Sequence, residues 1–516
     1  MNFTILIPFV VYLLAMISIG WYAMRRVKNS EDFFIGGRSL GAWLSAFSLM
    51  TSYASGYTYT AAPGMGYQGG WSTMWWASGD APGNALSFGL LGRRLRKYSE
   101  LLRAITLPEF YEKRFRSPAL RLMTSILIVC TVSMHLVAQW QASGIMLSVA
   151  FETDYIIGLV IGGAVVLAYT VMGGYLATVY NDFLQGIIMF IGTAVLFITA
   201  LAAVGGFGEL NNQLASINTG LVTPWGPNNE YGSLIAAISP VILIVMGSFG
   251  QPHVTVRHIA LKEPDTARKS MLITVIFMAI FSIMYYMVGA TGLVLLGPDV
   301  EPESVGVMLW FEVLPPIGAG ILVSAGIAAI MSTASGFLML MVSSISHDIF
   351  NRFLLPNVSQ EKIVFIARIV TAVIAVVTIV AAINPPAGVF TIIMTVYGGM
   401  ALAFGIPNIF AVYWKRSTKT GAIACVVLSL TIYIWFTATG MTMFGLNAFM
   451  SALVVAILSF VIGSLLSQEP STEEKELFDV GTSYGPIPED FKKFGTSAKF
   501  AGEAMRAEKQ LNDNDK

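Results

Sequence analysis

Charge is what this chain has least of. Lys, Arg, Asp and Glu together make up 12% of its 516 residues, against 55% hydrophobic residues, about half the charged fraction of a soluble domain. That excludes an ordinary water-soluble enzyme or binding module. Cysteine is nearly absent too: Cys130 and Cys425, both inside apolar runs, form neither a disulfide framework nor a metal site and read as buried packing residues. No G-x-x-x-x-G-K-[ST] occurs, which removes ATP-driven transport, and there is no H-E-x-x-H or paired acid for an intramembrane enzyme. No basic residue precedes the first apolar run, Phe3 to Met24, while Arg25-Arg26 follow it. A cleavable signal has the reverse order, so this run is read as a retained helix with its N-terminus outside.

What the chain does have is apolar runs of roughly 20 residues, each sufficient to cross a ~30 Å hydrocarbon core. They mark thirteen segments: 3–24, 40–66, 71–92, 119–149, 155–175, 182–205, 233–256, 271–297, 316–345, 363–383, 388–413, 420–439 and 446–467. With the N-terminus outside, every Lys and Arg falls in a cytoplasmic loop or the tail. Arg25, Arg26, Lys28 and Arg38 lie in the first loop, and nine more basic residues lie between Arg93 and Arg121. Later loops carry Arg257, Lys262, Arg268, Lys269, Arg352, Lys362, Arg368, Lys415, Arg416 and Lys419, and the tail after Ser467 carries seven. The outer loops hold only acids, such as Glu152, Asp154, Glu209, Asp299, Glu301 and Glu303. The positive-inside rule therefore fixes a multi-pass membrane protein with its C-terminus in the cytoplasm.

Three stretches break the apolar pattern. In "ILVSAGIAAIMSTASGFLMLMVSSIS", Ser332, Thr333, Ser335 and Gly336 sit mid-segment, where small residues either let helices approach or offer oxygens. "SLMTSYASGYTYTAAPGMGYQGG" combines Ser52, Ser55, Thr58 and Thr60 with Gly56 and a Pro63-Gly64 break. "MGSFGQPHVTVRH" interrupts the seventh segment at Gly247, Gly250 and Pro252. Interrupted helices opening two halves of similar length predict an inverted-repeat secondary transporter, with ion and solute held near the midplane by unwound backbone.

Several motifs carry a resemblance: Gly36-Gly37-Arg38-Ser39-Leu40-Gly41, Thr106-Leu107-Pro108-Glu109-Phe110 and Tyr180-Asn181-Asp182-Phe183-Leu184-Gln185-Gly186, then Gly250-Gln251-Pro252-His253 and Ala328-Ala329-Ile330-Met331-Ser332-Thr333. In this order the chain resembles the sodium/solute symporter family over about its first 465 residues, most of all its sodium/pantothenate and sodium/proline members. The resemblance implies an all-α polytopic membrane protein of about 13 transmembrane helices, a five-plus-five inverted repeat of the leucine-transporter type. The boundaries read as 1–38 for the first helix and cytoplasmic loop and 39–205 for the first repeat. An extracellular loop at 206–235, the second repeat at 236–413, two extra helices at 414–467 and the cytoplasmic tail at 468–516 follow.

The resemblance also implies sites. Sodium, the coupling ion, falls to the carbonyls of Thr51, Ala54 and Ala329 with the hydroxyls of Ser332 and Thr333. An uncharged all-oxygen cage suits a hard cation that must leave again. Ser335 reads as packing. Asp182 marks a second ion site or the release path, or else is a helix-start acid, and Arg38 is a candidate inner gate. The solute pocket draws on Tyr53, Ser55, Gly56, Tyr57, Asp80, His135, Gln139, Ser248 and Gln251. The proline branch has an aspartate where Tyr53 stands, and a tryptophan and a tyrosine where Ile244 and Ser248 stand, which speaks for the pantothenate branch.

Asp80, in "WWASGDAPGN", is the one acid well inside a segment. A charge there costs about 2.5–3.5 kcal/mol or more, so it either meets a substrate or a proton or is satisfied by Ser78 or Asn84. His135 is either packed or a ligand. His253 and His258 read as structural, and Trp71, Trp75 and Trp76 as an interfacial aromatic belt. The expected function is sodium-coupled import of a small polar organic solute bearing a carboxylate, pantothenate-like or a monocarboxylate. The alternatives are an amino acid or other amine-bearing solute, or a membrane sensor built on a transporter fold. The expected partners are the solute and the lipid bilayer of the plasma membrane, not nucleic acid; the oligomeric state stays open.

Overall fold

Backbone groups in hydrocarbon can bond only to one another, which makes the helix the economical way through. The computed structural model describes residues 3–25, 40–354, 359–443, 445–488 and 491. Arg38, the candidate gate, lies outside the described residues. Among those described there is no β-strand, only isolated bridges.

Helix α1 (Phe3–Met24) precedes the first broken helix, which comes in three pieces: α2 (Ala42–Tyr53), α3 (Gly56–Tyr59) and α4 (Ala61–Gly69). Then come α5 (Met74–Leu86), running through a π-helical stretch into α6 (Arg93–Leu101), the connector α7 (Leu107–Phe115), α8 (Pro118–Phe151) and α9 (Tyr155–Val204). The connection to the second broken helix carries α10 (Phe207–Ile217). The second broken helix is α11 (Leu234–Gly250) with α12 (Pro252–Ile259), followed by α13 (Thr266–Leu296), α14 (Val305–Val313) and α15 (Pro316–Ser343). Last come α16 (Gln360–Ala381), α17 (Val389–Met400), α18 (Ile406–Tyr413), the extra helices α19 (Lys419–Thr439) and α20 (Ala448–Leu466), and the tail helix α21 (Thr472–Thr482).

Among the described residues, nine helices are long and apolar enough to span a membrane, and the α11–α12 pair, bent by 48°, makes a tenth. The expected segments 40–66 and 71–92 fall short of that test because they are interrupted. The expected boundary between 155–175 and 182–205 is not marked by a loop, for helical hydrogen bonding runs unbroken from Tyr155 to Val204. No proline occurs in that stretch to remove a donor,.

The first break also moves. It falls at Ala54-Ser55, not at Pro63-Gly64. Pro63 is the third residue of α4, where the helix has no use for its missing N–H. The second break is where the sequence places it, between Gly250 and Pro252. The inner ends of the broken helices are tied together: Leu40 N donates to Ala260 O at 3.3 Å, and Lys262 N donates to Leu40 O at 3.0 Å.

The Thr106-Leu107-Pro108-Glu109 motif is a helix start. Thr106 Oγ1 accepts from Glu109 N at 3.2 Å, and the Glu109 carboxylate accepts from Ile105 N at 2.9 Å,. Several basic residues counted as loop charges are in fact buried. Arg121 is paired with Asp348 at 2.7 Å and Glu112 at 2.7 Å, and Arg114 donates to Ala411 O at 3.0 Å. Around Glu109, burial alone would raise the carboxyl, but Lys113, His347 and Arg121 outweigh it and hold it well below the usual carboxylate range. Tail helix α21, closed at its start by a Ser471–Glu474 capping box, lies on α6. It buries Leu477 and Phe478 there, and Arg116 meets Glu473 at 2.5 Å.

One smaller expectation fails. Cys130 is exposed on the outside of α8, and only Cys425 is buried. The tryptophans are anchored to the connection between α9 and α11: Trp71 Nε1 donates to Asn211, Trp75 Nε1 to Pro224 O and Trp76 Nε1 to Tyr231.

Candidate ion and solute site

Where α2 stops, its last carbonyls lose their helical partners. Ala54 leaves the helix at ψ 78°, and Ser55 turns extended, its hydroxyl accepting from Tyr57 N at 3.2 Å. The freed oxygens face α15. Ser332 Oγ lies 3.0 Å from Thr51 O and 2.9 Å from Ala329 O. Thr333 Oγ1 lies 3.4 Å from Thr51 O, 3.3 Å from Ser52 O and 3.1 Å from Ala329 O. Thr51, Ala54, Ala329, Ser332 and Thr333 are all buried. Carbonyls and hydroxyls from two helices thus converge with no fixed counter-charge among them, a donor set of the hard-oxygen kind. Ser335, by contrast, donates back to Ser332 O at 3.1 Å within its own helix.

One helical turn before Thr51 lies a charged cluster. Asp182 Oδ2 accepts from Ser48 Oγ at 2.5 Å and from Arg257 at 3.1 Å, while Asp182 Oδ1 has no partner among the described residues. Arg257 also donates to Ser48 Oγ at 3.0 Å, to His253 O at 3.0 Å and to Ser52 Oγ. Its side chain is 1% exposed. Arg257 was counted among the loop cations because the apolar run ends at 256; the half-helix α12 carries it inward. Asp182 therefore has a fixed cationic partner that the sequence reading missed.

On the other side of the break, a small cavity lies between the two broken helices and α5, α8, α13 and α17. Tyr53, Ser55, Tyr57, Asp80 and His135 line it, as expected, together with Ser52 and Ile244. Four further lining residues escaped the sequence reading: Tyr285, Ile393, Met394 and Tyr397. Neither Ser78 nor Asn84 satisfies the Asp80 carboxylate. Ser78 donates to Trp75 O and Asn84 to the Asp80 main-chain carbonyl, whereas Tyr285 Oη donates to Asp80 Oδ2 at 2.5 Å. His135 is wedged against Phe337 and Tyr397 with its Nδ1 unpartnered.

The other candidates stand behind this wall. Gln139 accepts from Gly56 N at 2.9 Å and so pins the break, and Ser248 donates to Ile244 O at 2.9 Å. The amide of Gln251 is buried at the second break, beside Tyr397. His253 and His258 are both buried; His258 shares a hydrogen bond of 2.8 Å with Ser87, and both ring nitrogens of His253 are unpartnered.

Broken helices, an uncharged oxygen cage and an adjoining cavity are joined by a sequence match. A model of the sodium:solute symporter family matches residues 33–429. The chain belongs to that family. It is a membrane transporter that couples sodium to a small-molecule solute, not an enzyme. The symporter is 30% identical over 488 residues to the osmoregulated proline transporter OpuE of Bacillus subtilis, covering 93% of this chain and 98% of that one. It is 28% identical to the sodium/pantothenate symporter of Haemophilus influenzae, covering 91% and 97%. Among solved structures, a sodium-coupled sialic acid symporter superposes with a TM-score of 0.78 at 19% identity, covering 91% of this symporter and 99% of that chain. Mhp1, a nucleobase-cation-symport-1 family transporter, superposes at 0.60 and 15% identity, covering 88% and 99%. At those identities the likeness is one of fold.

Proposed function

We propose that this symporter imports a small polar, carboxylate-bearing organic solute, with its N-terminus outside and its C-terminus in the cytoplasm. Sodium is held by the carbonyls of Thr51, Ala54 and Ala329 and the hydroxyls of Ser332 and Thr333. The observation that carries this reading is the convergence of Ser332 and Thr333 on Thr51 O and Ala329 O across a helix break. The two hydroxyls need only rotate to turn lone pairs toward a cation. The solute occupies the cavity at Tyr53, Ser55, Gly56, Tyr57, Asp80 and His135, with Gln139, Ser248 and Gln251 supporting its walls. Its carboxylate faces the sodium end, because Ser52 and Ser55 line the cavity while their neighbours Thr51 and Ala54 belong to the cage.

Sodium binding from outside stabilises the outward-facing state, since a ligand shifts an equilibrium by its differential affinity for the two states. Solute binding then permits the repeats to rock, and sodium leaves past Asp182. Arg38 is assigned to the inner gate on the sequence resemblance alone. The test is sodium dependence. Ser332→Ala or Thr333→Ala removes one oxygen from a buried cation and should raise the sodium concentration for half-maximal thermal stabilisation at least tenfold, about 1.4 kcal/mol. Unchanged sodium dependence in both variants returns the motif to helix packing.

A further inference from the structure

Among the described residues Asp80 is the only charged side chain lining the solute cavity, and it is 7% exposed. A carboxylate so placed needs a compensating partner. No Lys or Arg lines the cavity. The buried Arg257 beyond Ser52 is already engaged by Asp182, Ser48 and the His253 carbonyl. Tyr285 supplies one hydrogen bond, to Oδ2, and no other hydrogen bond to the carboxylate is formed among the described residues. Oδ1 is therefore an acceptor without a donor.

The surroundings are those of a cation site. Tyr57, Tyr285 and Tyr397 line the same cavity, and Tyr57 is backed by Phe390 at a ring distance of 6.2 Å. Aromatic rings around a desolvated ammonium attract it through their quadrupoles. Ile244, Ile393 and Met394 give the same cavity an apolar wall.

We propose that the solute carries a protonated amine that donates to Asp80 in this cavity. Asp80 and Tyr285 then determine specificity. The inference rests on the function proposed above: a cage with bound sodium and an acid facing it make the cavity a dipole matched to a zwitterion. The amine replaces the cation that the protein withholds from Asp80. A solute with the same skeleton and no amine would leave the carboxylate buried and unpaired, and sites built around a charged hydrogen bond reject such analogues strongly.

The test uses the full-length protein purified in lipid nanodiscs, in sodium, with pairs of compounds differing only in the amine. L-proline is set against cyclopentanecarboxylate, L-alanine against propionate and L-leucine against 4-methylpentanoate, with pantothenate as an amine-free carboxylate. Thermal stabilisation should favour the amine-bearing member of at least one pair by tenfold or more in apparent affinity. Asp80→Asn should abolish that preference. Tyr285→Phe, which keeps the carboxylate, should retain the preference at reduced affinity.

Equal binding of both members of every pair, tighter binding of pantothenate, or no stabilisation by any amine-bearing compound would overturn the inference. So would an Asp80→Asn variant that keeps its amine preference. If that variant does not fold, the wild-type pairs decide alone. Sodium without solute separates the two claims: its failure to stabilise the wild type sinks the sodium reading, whereas normal sodium stabilisation without amine preference sinks only this one.

Discussion

Arg257 on half-helix α12 and Asp182 on α9 form an ion pair at 3.1 Å, with side chains 1% and 0% exposed. Ser48 and Ser52 of α2 bond to the same guanidinium. One arginine therefore joins the two broken helices and α9 beside the oxygen cage. Removing one partner of a buried pair strands the other charge, which costs about 3–5 kcal/mol. Arg257→Gln and Asp182→Asn should each lower the melting temperature, and the double variant should lose less than the two losses added. Additive losses in that double-mutant cycle would show that the pair is not coupled.

Helices α4 and α13 meet glycine to backbone. A Cβ added to Gly289 would overlap the Pro63 carbonyl, and one added to Gly66 would overlap the Tyr286 carbonyl. Small residues here set how closely the third piece of the broken helix approaches its neighbour. Gly289→Ala should destabilise by about 1–3 kcal/mol through overpacking, and Gly208→Ala, with open space around it, should cost less. Equal melting temperatures for the two variants would contradict the close approach.

Sidedness is open to a direct measurement. Reporter fusions after Gly206 and Val300 should read as external, and fusions after Leu261, Ser417 and Leu477 as cytoplasmic. An external reading after Leu477 would reverse the whole assignment.

The tail helix bridges α6 and the connector α7. Phe478 packs edge-on against Tyr98 at 6.4 Å, under the Arg114 guanidinium at 5.3 Å. Phe478→Ala should release α21 locally, at a cost of about 3 kcal/mol, and make residues 472–482 a preferred site of limited proteolysis. Protection equal to the wild type would mean that the polar contacts alone hold the helix.

Most of the architecture was readable along the chain, because transfer of residues into hydrocarbon and the sidedness of Lys and Arg are local quantities. The second break was readable for the same reason: Pro252 carries no N–H, and nothing elsewhere in the fold can supply one. The Ser332-Thr333 hydroxyls and the Asp80 acid stood out as polar residues where apolar ones are expected. The first break was misplaced because Pro63 is harmless near a helix start, while Ala54-Ser55 opens where α15 presents hydroxyls to the freed carbonyls.

Partners distant in sequence were beyond reach. Arg257 reads as one more loop cation until Asp182, 75 residues away, draws it inside, and Asp80 looks to Ser78 or Asn84 until Tyr285, 205 residues away, meets it. Local sequence determined which residues enter the membrane and where the chain offers oxygens. Only the packing of one helix against another decided which charges are neutralised there, because a buried charge is satisfied by whatever lies within about 3 Å and not by what is adjacent in sequence.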